Sequence, residues 1–146
     1  RGALVRPRGP RQGGLPVMVG AAAPRMLRLA AELADEWNAG MRTPAGLTPM
    51  LAALDAACEV VGRDPATLRR SAEAMVEMVA TAGPDDEPDA RGSWDDPLRG
   101  SPSAIAAGLR RYRDLGIDHV QVQLRPNRLE SVRAFAPVID ALRAEG

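Results

Sequence analysis

Lysine is missing from this chain: all 19 of its basic residues are arginine, a mark of GC-rich coding rather than of chemistry. There is one cysteine, Cys58. A lone thiol cannot build a disulfide framework and fits a reducing compartment, so the expected location is cytoplasmic. Histidine is also present once, at position 119. The acidic groups Asp85, Asp86, Glu87 and Asp95, Asp96 have no histidine partner and match no EF-hand spacing, so no metal site is expected. No apolar run approaches the roughly 20 residues of a membrane span, and no secretory leader is visible. Charge of either sign is not in excess, because 19 acidic residues balance the 19 basic ones. Nothing global therefore draws the chain to nucleic acid or to an anionic membrane. A methionine start is lacking too; the chain opens on Arg1, which points to a fragment or a processed product.

What is present suffices for one domain with a core at 146 residues. Residues 1–15 carry four arginines, four glycines and two prolines. They read as a flexible connector, and they hold no aromatic side chain on which a base could stack. The domain is expected over 16–146. It is organised around the run PVMVGAAAPRMLRLAAELADEWNAG at 16–40. Pro16–Val19 reads as a strand, Gly20–Ala23 as a small-residue turn, and Pro24 as the first residue of a helix. Met26, Leu29, Ala30 and Leu33 supply that helix's expected apolar stripe. A second strand follows from Asp35 through Asn38. A strand that delivers small residues to a helix N-terminus offers free N–H groups and a positive dipole end to an anion such as phosphate.

Thr48 and Pro49 are expected to cap and open the second helix. Leu47, Met50, Leu51, Leu54, Ala57, Cys58 and Val61 form its stripe, and Gly62 its stop. Cys58 sits inside the stripe, which predicts a packed thiol rather than a nucleophile. The run Gly62–Leu68 (GRDPATL) is a turn. Ser71–Ala80, alternating around Glu73 and Glu77, predicts a strand, and the acidic Pro/Gly-rich stretch 81–100 a long loop. Ser101 and Pro102 begin a third helix with Ile105, Leu109, Tyr112 and Leu115 inward, ended by Gly116. In the strand Ile117–Leu124, Val120, Val122 and Leu124 take one face and His119, Gln121 and Gln123 the other. The last helix, from about Leu129 to Arg143, places Val132, Ala136, Ile139 and Leu142 inward and should kink or break at Pro137. Strands alternating with helices argue for parallel βα units, and four such units are half of a (β/α)₈ barrel.

The residues Val19–Ala31 (VGAAAPRMLRLAA) followed by Ala34–Asn38 (ADEWN) resemble the central signature of the luciferase-like monooxygenases. In that family the turn is Gly-Gly-x-Gly-Pro-Arg and the later run Ala-Asp-Gly-Trp-Asn; here alanines occupy most of the turn and Glu36 replaces a glycine. GRDPATL at 62–68 resembles a further common stretch of the family. The resemblance implies the C-terminal half of a TIM-type barrel, an α/β fold, and an oxidoreductase that uses F420 or FMN for hydride transfer or monooxygenation of a small organic substrate. It implies cofactor-tail contacts at Gly20, Ala21 and Ala22; Arg25, in the first helical turn, reads either as a further cofactor-binding residue within reach of an anion or as a surface arginine. Trp37, Asn38, Met41, Gln123 and Arg125 are the expected pocket residues, since barrel ligands bind where strands end. His119 begins its strand, at the opposite end, where it reads as structural, and no catalytic acid–base pair is expected around it. Catalytic residues are not identified. A Rossmann turn is rejected because only Gly20 of its three glycines is present and no acid ends the next strand. The chain alone is expected to be inactive, and its open sheet edges to pair with a missing half-barrel or with a second copy, the alternative being a non-catalytic half-barrel.

Overall fold

The computed structural model describes residues 14–78 and 96–144. Strands and helices alternate as β1 (Met18–Gly20), α1 (Pro24–Leu33), β2 (Glu36–Met41), α2 (Pro44–Val61), a 3₁₀ turn (Pro65–Thr67), β3 (Arg69–Glu77), α3 (Pro102–Asp114), β4 (His119–Arg125), α4 (Leu129–Ala134) and α5 (Ala136–Ala144). The strands make one sheet in the order β1-β2-β3-β4, every neighbouring pair parallel. Sequential strands that lie side by side and run the same way need a crossover between each pair, and the helices supply it. The expected connector over 1–15 falls, apart from Gly14 and Leu15, outside the described residues. So do most of the long acidic loop and its residues Asp85, Asp86, Glu87 and Asp95.

Local chemistry explains most boundaries, and four expectations are corrected. Helix α1 buries Leu27, Ala30 and Ala31, whereas Met26 and Leu33 are exposed at 41% and 70%. The buried side is thus one position round from the expected stripe, with small alanines where the helix meets the sheet. Helix α2 begins one turn and more before Pro49. Its cap is Thr43, whose side chain accepts a hydrogen bond from the Gly46 N–H at 3.2 Å, and Pro49 lies inside the helix. The extra turn brings Leu47 to complete burial. Gly62 closes α2 in the left-handed conformation, φ 72°. Ser101 caps α3 by accepting from the Ala104 N–H at 3.2 Å. The final helix breaks at Phe135 ahead of Pro137, but Val132 is exposed, and the two pieces bury Ser131 and Val138. Strand β3 starts two residues before the expected Ser71.

The sheet has two unlike faces. In register across β3 and β4 lie Ala72 with Val120, Ala74 with Val122 and Val76 with Leu124, and all six join the cluster that the helices cover. The other face pairs Ser71 with His119, Glu73 with Gln121, Met75 with Gln123 and Glu77 with Arg125. One device recurs where strands begin: Asp35 Oδ2 accepts from the Val17 N–H and Asp118 Oδ2 from the Arg70 N–H, both at 2.8 Å. At 18 residues and a mean hydropathy of 1.2, α2 is the one described helix long and apolar enough to cross a membrane. Here Leu47, Leu51, Leu54 and Cys58 face the core, and its Asp55 pairs with Arg70 of β3 at 2.6 Å.

Candidate functional site

At the end of β1 the chain turns into α1 through Gly20, Ala21, Ala22 and Ala23. Ala23, the cap position, has φ −76° and ψ 144° and gives no side-chain bond to the helix. Pro24 follows it. Pro24 has no N–H, and the Met26 and Leu27 N–H groups both donate to the Ala23 carbonyl at 2.9 Å. The Arg25 N–H is therefore the donor of the first turn that no side-chain cap meets, at the positive end of the helix dipole. Two bonds fix the turn from behind: the Ala21 N–H donates to the Asn38 carbonyl at 3.3 Å, and Trp37 Nε1 donates to the Ala21 carbonyl at 2.9 Å. Gly20 does not adopt a left-handed φ, and a Cβ built there meets nothing within 4 Å. Neither backbone strain nor packing inside the chain calls for glycine there. Arg25, in the first helical turn, is exposed and makes no ion pair with any described residue.

The next strand end is built by a bulge. Between Asn38 and Met41 the β2–β3 register slips, and Gly40 adopts φ 69°. Asn38 supports the slip: its Oδ1 accepts from the Gly40 N–H at 2.7 Å and its Nδ2 donates to Ser71 Oγ at 3.1 Å. The slip sets Met41 opposite Glu73, on the polar side of the sheet. Trp37 lies on the other side, wholly buried in the helix-covered core. Its indole reaches the candidate site only by holding the Ala21 carbonyl.

Gln123 and Arg125 end β4, two strands away. Gln123 Nε2 donates to Glu73 Oε2 at 2.7 Å. Arg125 stands opposite Glu77, which pairs with Arg99; Arg99 lies 3.6 Å from Asp96. The structure thus forms two groups at the strand ends: Gly20–Arg25 beside Asn38–Met41, and Gln123 with Arg125 beside Glu73 and Glu77. Glu73, Glu77 and Arg99 were not expected as site residues. For the two glutamates the signal was the period-two alternation of β3, which puts both on one face; Arg99 follows the acidic loop and gives no such signal.

His119 sits at the opposite end of the strands, and a partner meets it there. Its Nδ1 lies 3.1 Å from Glu36 Oε1, and Arg69 lies 3.4 Å from Glu36 Oε2. Burial pushes the Glu36 carboxyl up, but Ser71 and His119 hydrogen bonds with the charges of Arg69 and His119 outweigh it, leaving the group below its usual value. The single Ser71 proton serves either this carboxylate or the Trp37 carbonyl, 3.2 Å from Oγ. Sequence reading expected no catalytic acid–base pair at His119; the Glu36 contact is one it did not name. It lies at the end of the sheet where barrels keep their structural contacts.

A parallel sheet in sequential order, one face under helices and the other polar, with small-residue turns at the strand ends, defines an α/β half-barrel of the TIM type. Its first 90 residues match the luciferase-like monooxygenase model, and the chain belongs to that family. Solved structures share the fold at low identity. The coenzyme F420-dependent tetrahydromethanopterin reductase of Methanopyrus kandleri is 15% identical, with TM-score 0.65 over 90% of this chain and 51% of its own. An F420-dependent secondary alcohol dehydrogenase, in complex with an F420–acetone adduct, is 14% identical, with TM-score 0.65 over 88% and 49%. The long-chain alkane monooxygenase LadA is 13% identical, with TM-score 0.71 over 92% and 42%. The chain spans about half the length of the solved structures it matches. No curated protein matches it in sequence.

Proposed function

We propose that this chain is part of an F420-dependent, cytoplasmic luciferase-like oxidoreductase acting on a small organic substrate, and that the β1–α1 turn receives the phosphate-bearing tail of the cofactor. The observation that carries the reading is the uncapped N-terminus of α1 beside Gly20, a glycine that the chain's own backbone and packing do not require. The family implies a flavin or deazaflavin, and the residues present fit its phosphate: a helix N-terminus with no side-chain cap, room for close approach at Gly20, and Arg25, which makes no ion pair with any described residue. When bound, the cofactor supplies the hydride or oxygen chemistry. Gly20, Ala21 and Ala22 bring backbone against the tail, and Arg25 adds charge. Asn38 and Met41 shape the adjoining wall, while Gln123 and Arg125 present polar groups to a substrate. Trp37 holds the turn in place from the core side. F420 rather than FMN is favoured by the two F420-dependent proteins among the structural neighbours, and monooxygenation remains the alternative activity, carried by LadA's name. No described residue is positioned to perform the chemistry without a cofactor, so the chain alone is expected to show no turnover. Fluorescence titration of F420, and separately FMN, into the folded chain tests the reading: saturable binding of F420 supports it, and binding of neither overturns it.

A second reading is favoured by the sheet edges. β1 and β4 each lack a strand partner on one side among the described residues, and Leu15, Val17 and Met18 beside β1 are exposed at 64%, 51% and 44%. On that reading the chain is a half-barrel that pairs with a second copy or with the other half.

A further inference from the structure

We propose that Arg63 is a positioning residue for the anion site at the far end of α1, holding that helix by its C-terminal carbonyls. The proposal rests on the assignment of the β1–α1 turn to a phosphate-bearing ligand, and it gives a task to the GRDPATL run, which the site itself leaves unexplained.

Helix α1 ends without any of the usual closing devices. Its cap, Ala34, is extended at φ −86° and ψ 146°, its last turn holds no basic residue, and the chain runs directly into β2. No glycine turns back to satisfy the last carbonyls, which also carry the negative end of the helix dipole. Arg63 fills the gap from across the α1–α2 layer. One guanidinium nitrogen, Nη1, donates to the Ala31 carbonyl at 3.0 Å and to the Ala34 carbonyl at 2.8 Å. The other two are fixed at home: Nε donates to Thr67 Oγ1 and Nη2 to the Thr67 carbonyl, both at 3.0 Å.

Each neighbour in the run serves that grip. Gly62 reverses the chain in the left-handed region at φ 72°. Asp64 Oδ1 accepts from the Ala66 N–H at 3.0 Å, and Thr67 Oγ1 donates to the Asp64 carbonyl at 2.7 Å. A planar fork with four bonds at once is a task for arginine; lysine offers one point charge. Since α1 has 10 residues, the clamp acts about 15 Å from the turn it orients. A rigid helix transmits a tilt at one end to the N–H groups at the other.

The test compares the wild-type chain with Arg63→Ala, Arg63→Lys and, as a control on α1's exposed surface, Arg28→Ala. Two quantities are read: the dissociation constant for F420 and FMN, and amide hydrogen exchange along α1. Arg63→Ala is expected to bind about tenfold more weakly, Arg63→Lys to fall between, and Arg28→Ala to match wild type. Exchange in Arg63→Ala should speed up along α1, including at Met26 and Leu27 in its first turn, while β3 and β4 stay protected. A residue of general structural importance would instead raise exchange throughout the sheet, and that result overturns the proposal, as does unchanged exchange and affinity. If Arg63→Ala does not fold, Arg63→Lys decides by the same two readouts. If the wild-type chain binds neither cofactor, the ligand assignment fails on its own, and faster exchange confined to α1 still supports the clamp while its absence overturns it.

Discussion

Among the described carboxylates, Glu36 is the one the fold buries. It is buried on the polar side of the sheet, yet the basic partners Arg69 and His119 and the Ser71 hydroxyl keep it below its ordinary value of 4.5. A carboxyl whose folded value is depressed adds stability that is complete above the unfolded value. That stability is lost as pH falls through the folded value. The chain should therefore lose stability below about pH 4.5, and Glu36→Gln should flatten that acid limb. Urea midpoints measured between neutral pH and pH 3 for both proteins check this, and an equal acid limb in the variant would show that Glu36 is not the group. Cys58 follows the opposite rule. Burial pushes its thiol up and it is fully enclosed, so the reactive thiolate is scarce and hidden. A thiol reagent at neutral pH should label it only through unfolding, and labelling should accelerate with urea. Fast labelling of the native chain would contradict the packing.

At the level of elements, two Thr-Pro pairs five residues apart each satisfy the grammar of a helix start, and only one is used. Thr43→Ala should cost about 1 kcal/mol by removing the cap of α2, whereas Thr48→Ala, at an exposed position within the helix, should stay within about 0.5 kcal/mol of wild type. Thermal melts of the two variants decide it; equal losses would mean the cap is shared. Local signals pointed to the second pair, and the first is used because tertiary burial decides it, with Leu47 completely enclosed. The same holds for α1. Positions 26, 29, 30, 33 and 27, 30, 31, 34 have equal helical spacing, and bulk pointed to the first set. Close approach to the sheet selects the second, where the side chains are small. By contrast Ser101-Pro102, Gly62, Gly116 and the break at Pro137 were legible, since each depends on its own few bonds. The bulge at Asn38–Met41 was not, because it exists only against β3. Nor was the Glu36–His119 pair, whose members are joined by sheet order rather than by sequence proximity.

For the molecule as a whole, the alternation of patterns was enough to foretell a parallel half-barrel, and period two in β4 foretold its polar face. What closes the sheet depends on how that face and its edges divide the work. Glu36, Asn38, Ser71, Glu73 and Gln123 already satisfy one another across strands, so the face gains little from burial against a partner. The edges are different. β1 and β4 expose backbone groups that another strand can pair, and apolar residues flank them: Leu15, Val17 and Met18 on one side, Leu129 and Val132, exposed at 57% and 55%, on the other. Association through edges joins β4 of one copy to β1 of the next. It should raise the sedimentation mass with concentration, and a charge at the β1 edge should oppose it. Met18→Lys is the variant of choice, because Met18 is an edge residue already exposed at 44% and a lysine there can reach water without disturbing the core. The wild-type chain is expected to shift from one to two copies across a concentration series in sedimentation equilibrium, and Met18→Lys to remain monomeric. A wild type that stays monomeric throughout, or a Met18→Lys chain that associates equally well, would place the contact away from the edges.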